Sequence, residues 1–275
     1  MPAGRPKKEF HEYLCEPTGS HVSHQDYLSS PATAFLKHTI EAKSAIDLCV
    51  RSFPKNQGQT YTKNSLDSLQ HLSLAVLPTI MGHFETFQRY LFAGMFDLTV
   101  YLNKFKVKTL LDKISKDNNS EIKVDLERLS AFRNIGTSSI GLVVADNLKG
   151  WHDPDKVNAY FNAFKLDHQF YSNEDCKRLK VLWQLRHSIV HTGGTISFPD
   201  AEKIDDLNLF GDKTISFENN FIYEVSRKFH PLVKSGTIGI GNKFKAQLKP
   251  SLPGDTLERI DKFFEVKSSI AAWLR

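Results

Sequence analysis

Residues 182–197 read LWQLRHSIVHTGGTIS and concentrate Arg186, His187 and His191 at the end of an apolar run, just ahead of two glycines. Residues of these types and spacing can do several things. An imidazole can move a proton near neutral pH, and a guanidinium can hold an oxyanion. Two His four residues apart share one helical face and can clip a metal ion. Gly193 and Gly194 suit the left-handed position that ends a helix, which leaves His191 in the last turn, where exposed carbonyls favour a protonated ring. His191 can therefore serve proton transfer or simply neutralise a helix terminus.

On a helix turning about 100° per residue, Leu179, Leu182, Leu185, Ile189 and Val190 fall in one arc that is expected to face the core. Arg186 lies inside that arc. It cannot shed its proton, so it must reach solvent or an anion such as a carboxylate or a phosphate. His187 and His191 share a face, whereas Arg186 projects well around the helix from His191. A single ideal helix does not aim both at one point. A long Arg stem, fraying at His191, or two copies of the helix meeting across a dimer axis would bring them together.

Other chemistries find less support. Ser188 stands where zinc-protease sequences carry Glu after the first His, so no metal is expected. No cofactor is expected either. Gly239 and Gly241 in GTIGIGNKF lack the third Gly and the strand, turn and helix context of a dinucleotide loop. No Ser occupies a Gly-x-Ser-x-Gly elbow. His21 and His24 in HVSH have no acidic or Cys companions and read as surface residues. Cys15, Cys49 and Cys176 form no close pair and read as inert thiols.

The elements that must position the motif are mainly helical. Residues 1–30 carry no apolar period and are expected to form a flexible arm, with one α-helical domain over 31–275 that includes a C-terminal helical extension. PATAFLKHTIEAKSAIDLCVRSF begins with Pro31 in its opening turn. Asn64 or Ser65 is expected to cap the next element, where Leu66, Leu69, Leu72, Val76, Ile80, Phe84, Phe87, Leu91, Met95, Leu98 and Leu102 recur every three or four residues. That is one long helix, or two with a bend at Pro78. Its aromatic residues, with Trp151, Trp183 and Trp273, are expected to pack in the core or a dimer. Further helices are expected at about 105–117, 122–132, 138–149, from Asp153 or Pro154 onward, over 173–192 with Ser172 or Asn173 as cap, from Asn219 to about His230, and near Asp255. TGGTISF and GDKTISF read as short extended pieces, and SGTIGIGNKF as a loop or strand. The fold class expected is mainly α, an irregular helical bundle with a few short strands near the C-terminal third.

Composition sets the outer limits. The chain has 275 residues, 40% of them hydrophobic and 24% charged, which is globular composition. The first residues, MPAGRPKKEFHEY, lack the apolar stretch of a leader peptide, and no run is long and apolar enough to span a bilayer. The expectation is a cytoplasmic protein with no membrane partner. A net charge of +5, partly in GRPKK and GNKFKAQLK, permits an anionic partner without requiring one.

Arg186, His187 and His191, late in a helix and running through IVH into TGG, resemble the signature of the HEPN superfamily, an Arg and a His with four to six residues between them. Arg5 and His11, with five residues between them, also fit the pattern, but only the second match sits in a helix that ends in a glycine turn. IMGHFETFQRYLF resembles the HEPN helix that carries an acidic residue on an aromatic-rich face. Glu85 would be that residue, supporting Arg186 across the bundle; the simpler alternative is a surface pair with Arg89, four residues on. The resemblance covers roughly residues 65–225. It implies a metal-independent endoribonuclease with an RNA substrate, working as a homodimer with a composite active site. The 2′-hydroxyl would attack the neighbouring phosphate, leaving a 2′,3′-cyclic phosphate and a 5′-hydroxyl. His191 would transfer the proton, Arg186 would hold the phosphate, and His187 would orient the substrate or assist. The implied setting is a toxin or antiphage effector, with an antitoxin or regulatory protein as partner. The alternative is a non-catalytic HEPN-like binding or scaffold module acting through a partner protein.

Overall fold

The structure is a computed structural model that describes residues 9–14, 21–117 and 139–268. Its elements run α1 (His24–Ser29), α2 (Pro31–Ser52), α3 (Lys63–Leu98), α4 (Val107–Asp117), α5 (Ile140–Asn147), α6 (Pro154–Asn162), α7 (Asn173–His191), β1 (Thr195–Ile196), α8 (Phe198–Ala201), β2 (Lys213–Thr214), α9 (Phe221–Lys245) and α10 (Thr256–Phe263). The fold is mainly helical, as its periodicity predicts. The expected helix at 122–132, the GRPKK cluster, Cys15 and Trp273 lie outside the described residues.

The long apolar period becomes α3, which packs against α1, α2, α5, α6, α7 and α9. It is a single helix that runs through Pro78. A mid-helix proline costs about 3 kcal/mol or more. Burial on this scale opposes it, since Leu77, Ile80 and Met81 beside the proline are fully buried. The cap is Thr62, whose hydroxyl accepts from the Ser65 N–H at 3.2 Å. Asn64 and Ser65, the expected caps, already belong to the helix. Phe84, Phe87 and Phe92 are completely buried, as core residues should be.

Two expectations change. Residues 24–29, placed by their composition in a flexible arm, form α1, capped by Ser23 and Asp26. Tyr27 anchors it, buried and hydrogen-bonded to His83 Nδ1 at 2.8 Å. SGTIGIGNKF, expected as a loop or strand, is the second half of α9. Its glycines lower helix propensity but admit close neighbours: a Cβ built on Gly236 would meet Phe170 at 3.0 Å, and one on Gly241 would meet Phe264 at 2.8 Å. Packing overrides local preference here. The two extended pieces pair as expected, with Thr195 opposite Thr214 and Ile196 opposite Lys213 in an antiparallel ladder. Asp153, Ser172 and Pro31 take their predicted positions at helix starts. Cys176 is buried, and burial pushes its thiol up to about 11, as an inert thiol requires.

His38 and His83 stack in the seam of α2 and α3 with ring centroids 3.5 Å apart. Burial, with His83 beside it, lowers His38 from 6.5 to about 4. A His held neutral in the folded chain binds its proton more readily once unfolded. Stability should therefore be full above about pH 6.5 and fall towards pH 4. The expected loss is about 1–2 kcal/mol, discounted for partial exposure. His38→Phe should flatten that part of a pH-dependent urea unfolding series, and an unchanged slope would refute this source. Gly241→Ala, which helps an isolated helix by about 1 kcal/mol, should instead lower stability by about 1–3 kcal/mol through overpacking against Phe264. Thermal unfolding reads the sign directly.

Candidate active site

The motif occupies the last turns of α7. Ser172 opens this helix by accepting from the Asp175 N–H at 3.1 Å, while the Asp175 carboxylate accepts from the Ser172 hydroxyl at 2.6 Å. At the other end, the Ser188 carbonyl accepts from the Thr192 N–H at 3.1 Å, the Gly194 N–H at 3.0 Å and the Thr192 hydroxyl at 2.9 Å. Gly193 and Gly194 both take positive φ, at 64° and 82°, so both expected positions are used. The chain then turns into β1, and the Ile215 N–H donates to the Gly194 carbonyl at 2.7 Å. Gln70 on α3 fastens the far end of this segment, where its Oε1 accepts from the Phe217 N–H at 2.8 Å. The turn that carries His191 is thus tied to the longest helix.

The most deeply buried face of α7 shares Leu179 with the leucine arc but is rotated from the rest of it, most of which packs at the core's edge. Cys176, Leu179, Trp183, Gln184 and Ser188 are buried, while Leu182, Leu185 and Ile189 are only half-buried and Val190 is 47% exposed. Trp183 decides the rotation, since its large ring packs towards Phe84 with centroids 6.4 Å apart. The leucines line a groove of about 320 Å³ against α9 instead.

His187 and His191 are exposed and adjacent, with ring centroids 4.8 Å apart. Arg186 is half-buried, and its Nε is buried without a hydrogen-bond partner. Among the described residues its guanidinium makes no ion pair, which leaves its charge available to an external anion. Glu85 does not supply that partner. Its carboxylate is 3.7 Å from Arg89, and Arg89 also pairs with Asp146 on α5. The i, i+4 geometry on α3 favours this near partner over a cross-bundle one.

The structure adds neighbours that motif spacing does not single out. A cleft of about 430 Å³ adjoins His187 and includes His152, Lys180, Trp183, Gln184 and Lys203. Lys180, Gln184, His187 and His191 are spaced four, three and four residues apart, a polar stripe visible in the sequence. His152 and Lys203 come from distant segments and leave no such trace. Asp200 stands behind Lys203 at 2.7 Å. Bonds from Lys203 and Ser197 hold its carboxyl below the usual carboxylate range, and His187 adds to the effect. No group of three or more His, Cys, Asp or Glu that could hold a metal occurs among the described residues. None of their helices is long and apolar enough to cross a membrane.

A family model described as RiboL-PSP-HEPN matches residues 49–217, a span from the end of α2 through the motif and both strands. No curated protein and no solved structure matches the chain.

Because Arg186 has no counter-ion among the described residues, Arg186→Met should leave thermal stability unchanged or raise it. A loss above about 2 kcal/mol would mean that the guanidinium is structural. Glu85→Gln, which weakens only a partly exposed pair, should cost less than about 1 kcal/mol.

Proposed function

The chain belongs to the RiboL-PSP-HEPN family, and on that premise we propose that it is a metal-independent endoribonuclease. The observation that carries this reading is an Arg whose buried Nε has no hydrogen-bond partner and whose guanidinium makes no ion pair among the described residues, on the helix end that exposes two adjacent imidazoles. A structural Arg at a half-buried position would be expected to have an internal acceptor. An Arg awaiting a phosphodiester would not.

The reaction is an internal transesterification. The 2′-oxygen forms a bond to phosphorus as the bond to the 5′-oxygen breaks, and one proton passes from the 2′-hydroxyl to the departing 5′-oxygen. His191 carries that proton, Arg186 offsets the charge that builds on the phosphoryl oxygens, and His187 orients the substrate beside it. The products are a 2′,3′-cyclic phosphate and a 5′-hydroxyl.

The site is read as shared between two copies of the chain. On an ideal helix Arg186 and His191 diverge by about 140°, so one copy's Arg and the other's His can meet more readily than two groups on one helix. Val190 and Phe198, 47% and 64% exposed beside the motif, supply apolar surface for such a contact.

Purified protein in excess EDTA should cut RNA and leave cyclic phosphate ends. His191→Ala and Arg186→Ala should each lose about 10²–10⁴-fold in rate, with a smaller loss for His187→Ala. Intact RNA from the wild-type protein, with structured substrates included, would move the reading to a non-catalytic binding module. If the site is composite, mixing the Arg186→Ala and His191→Ala proteins after subunit exchange should restore roughly a quarter of wild-type activity, because half the dimers regain one of two sites. No recovery would place both residues in one copy.

A further inference from the structure

The cleft beside His187 differs from the motif in its electrostatics. Lys180 pairs with Asp155 at 2.6 Å, and Lys203 pairs with Asp200 at 2.7 Å. Both lysines that reach the cleft are therefore matched by carboxylates, and Asp153 adds a further acid at its edge. A phosphate gains little from such a surface. A neutral polar group gains more.

Its walls suit a flat heterocycle. Trp183 forms one side, and the exposed His152 ring meets it edge-on with centroids 6.2 Å apart. Gln184 also lines the cleft although it is only 9% exposed. Its Nε2 donates to Ser188 Oγ at 3.3 Å, and its Oε1 has no hydrogen-bond partner among the described residues. An amide oxygen that reaches solvent at a cleft wall is free to accept from an external donor. The volume, about 430 Å³, lies within the range of small-molecule sites. His187 lines the cleft and lies beside His191, with ring centroids 4.8 Å apart, which puts the cleft next to the motif.

We infer that this cleft is a nucleobase subsite that receives the base next to the scissile phosphate, with His152 as stacking surface and Gln184 Oε1 accepting from an exocyclic amine. The inference rests on the ribonuclease reading and supplies its specificity. Adenine, cytosine and guanine carry the required amine, whereas uracil does not. His152 and Gln184 set sequence preference and take no part in proton transfer.

The test measures binding, so it stands apart from cleavage. The probes are short 2′-fluoro oligoribonucleotides, which lack the attacking hydroxyl, with an abasic site or a uracil placed at each position in turn in an otherwise adenine sequence. Loss of one stacked base should weaken binding by about 5- to 150-fold at one position only. Uracil there should give a smaller loss. His152→Ala, an exposed substitution, should bind the intact oligonucleotide more weakly and shrink the abasic penalty to about 2-fold or less, and Gln184→Met, close in volume, should remove the uracil penalty. Equal penalties at all positions, an abasic penalty that survives His152→Ala, a uracil penalty that survives Gln184→Met, or no binding by the wild-type protein would each overturn the subsite. Absence of cleavage in EDTA with positional penalties that these substitutions remove would overturn the nuclease reading and leave a base-reading cleft on an RNA-binding protein.

Discussion

The packing of Phe84 is the constraint on which the arrangement of this molecule depends. Its fully buried ring lies 4.6 Å from Phe229, 5.3 Å from Phe35, 6.1 Å from Tyr171 and 6.4 Å from Trp183, centroid to centroid. These partners belong to α9, α2, the entry to α7 and α7 itself, so one side chain of α3 registers three other helices. Aromatic rings meet in a limited set of orientations, and interiors packed at crystal-like density do not absorb a rotated helix. Trp183 lies within about 80° of Lys180, His187 and His191 around α7, so the face that carries the imidazoles borders the ring that α7 buries. Trp183 and His187 accordingly line the same cleft.

Electrostatic pairing separates the charged groups that build the fold from those open to a ligand. Arg89 has two carboxylates, Lys180 and Lys203 have one each, and the cations of GNKFKAQLK are engaged as well: Lys243 with Asp167, Lys245 with Asp261, and Lys249 with the Val100 carbonyl. Arg186 has no such partner among the described residues. A half-buried guanidinium with an unpartnered Nε destabilises the folded chain slightly. Its retention at the turn that presents His191 is more readily explained by an anion from outside than by packing.

The turn after α7 shows how little machinery holds the motif. Three donors converge on the Ser188 carbonyl, two glycines accept left-handed backbone, and a two-residue ladder with β2 ties the strand in place. Gln70 then links the segment to α3. The helix end is defined by backbone hydrogen bonds, which vary less than side-chain contacts with the state of a ligand.

Much of this was legible in the residues themselves. Three-and-four spacing determined α2, α3 and α7, Ser172 and Asp153 marked helix starts, and the Gly193–Gly194 pair marked the stop, because these signals act within a few residues of one another. The motif Arg186, His187 and His191 was legible for the same reason. Tertiary structure alone decided the rest. SGTIGIGNKF reads as a poor helix until Phe170 and Phe264 are brought against its glycines, and Glu85 could face Arg186 or Arg89 until α5 presented Asp146. The leucine arc of α7 looked like its core face, yet the bulk of Trp183 and its place beside Phe84 turned the helix away from that setting. His152 and Lys203 met at the cleft through contacts between distant segments. A one-dimensional pattern specifies where a helix begins and which residues share a face; only the volumes of its neighbours decide which face is buried.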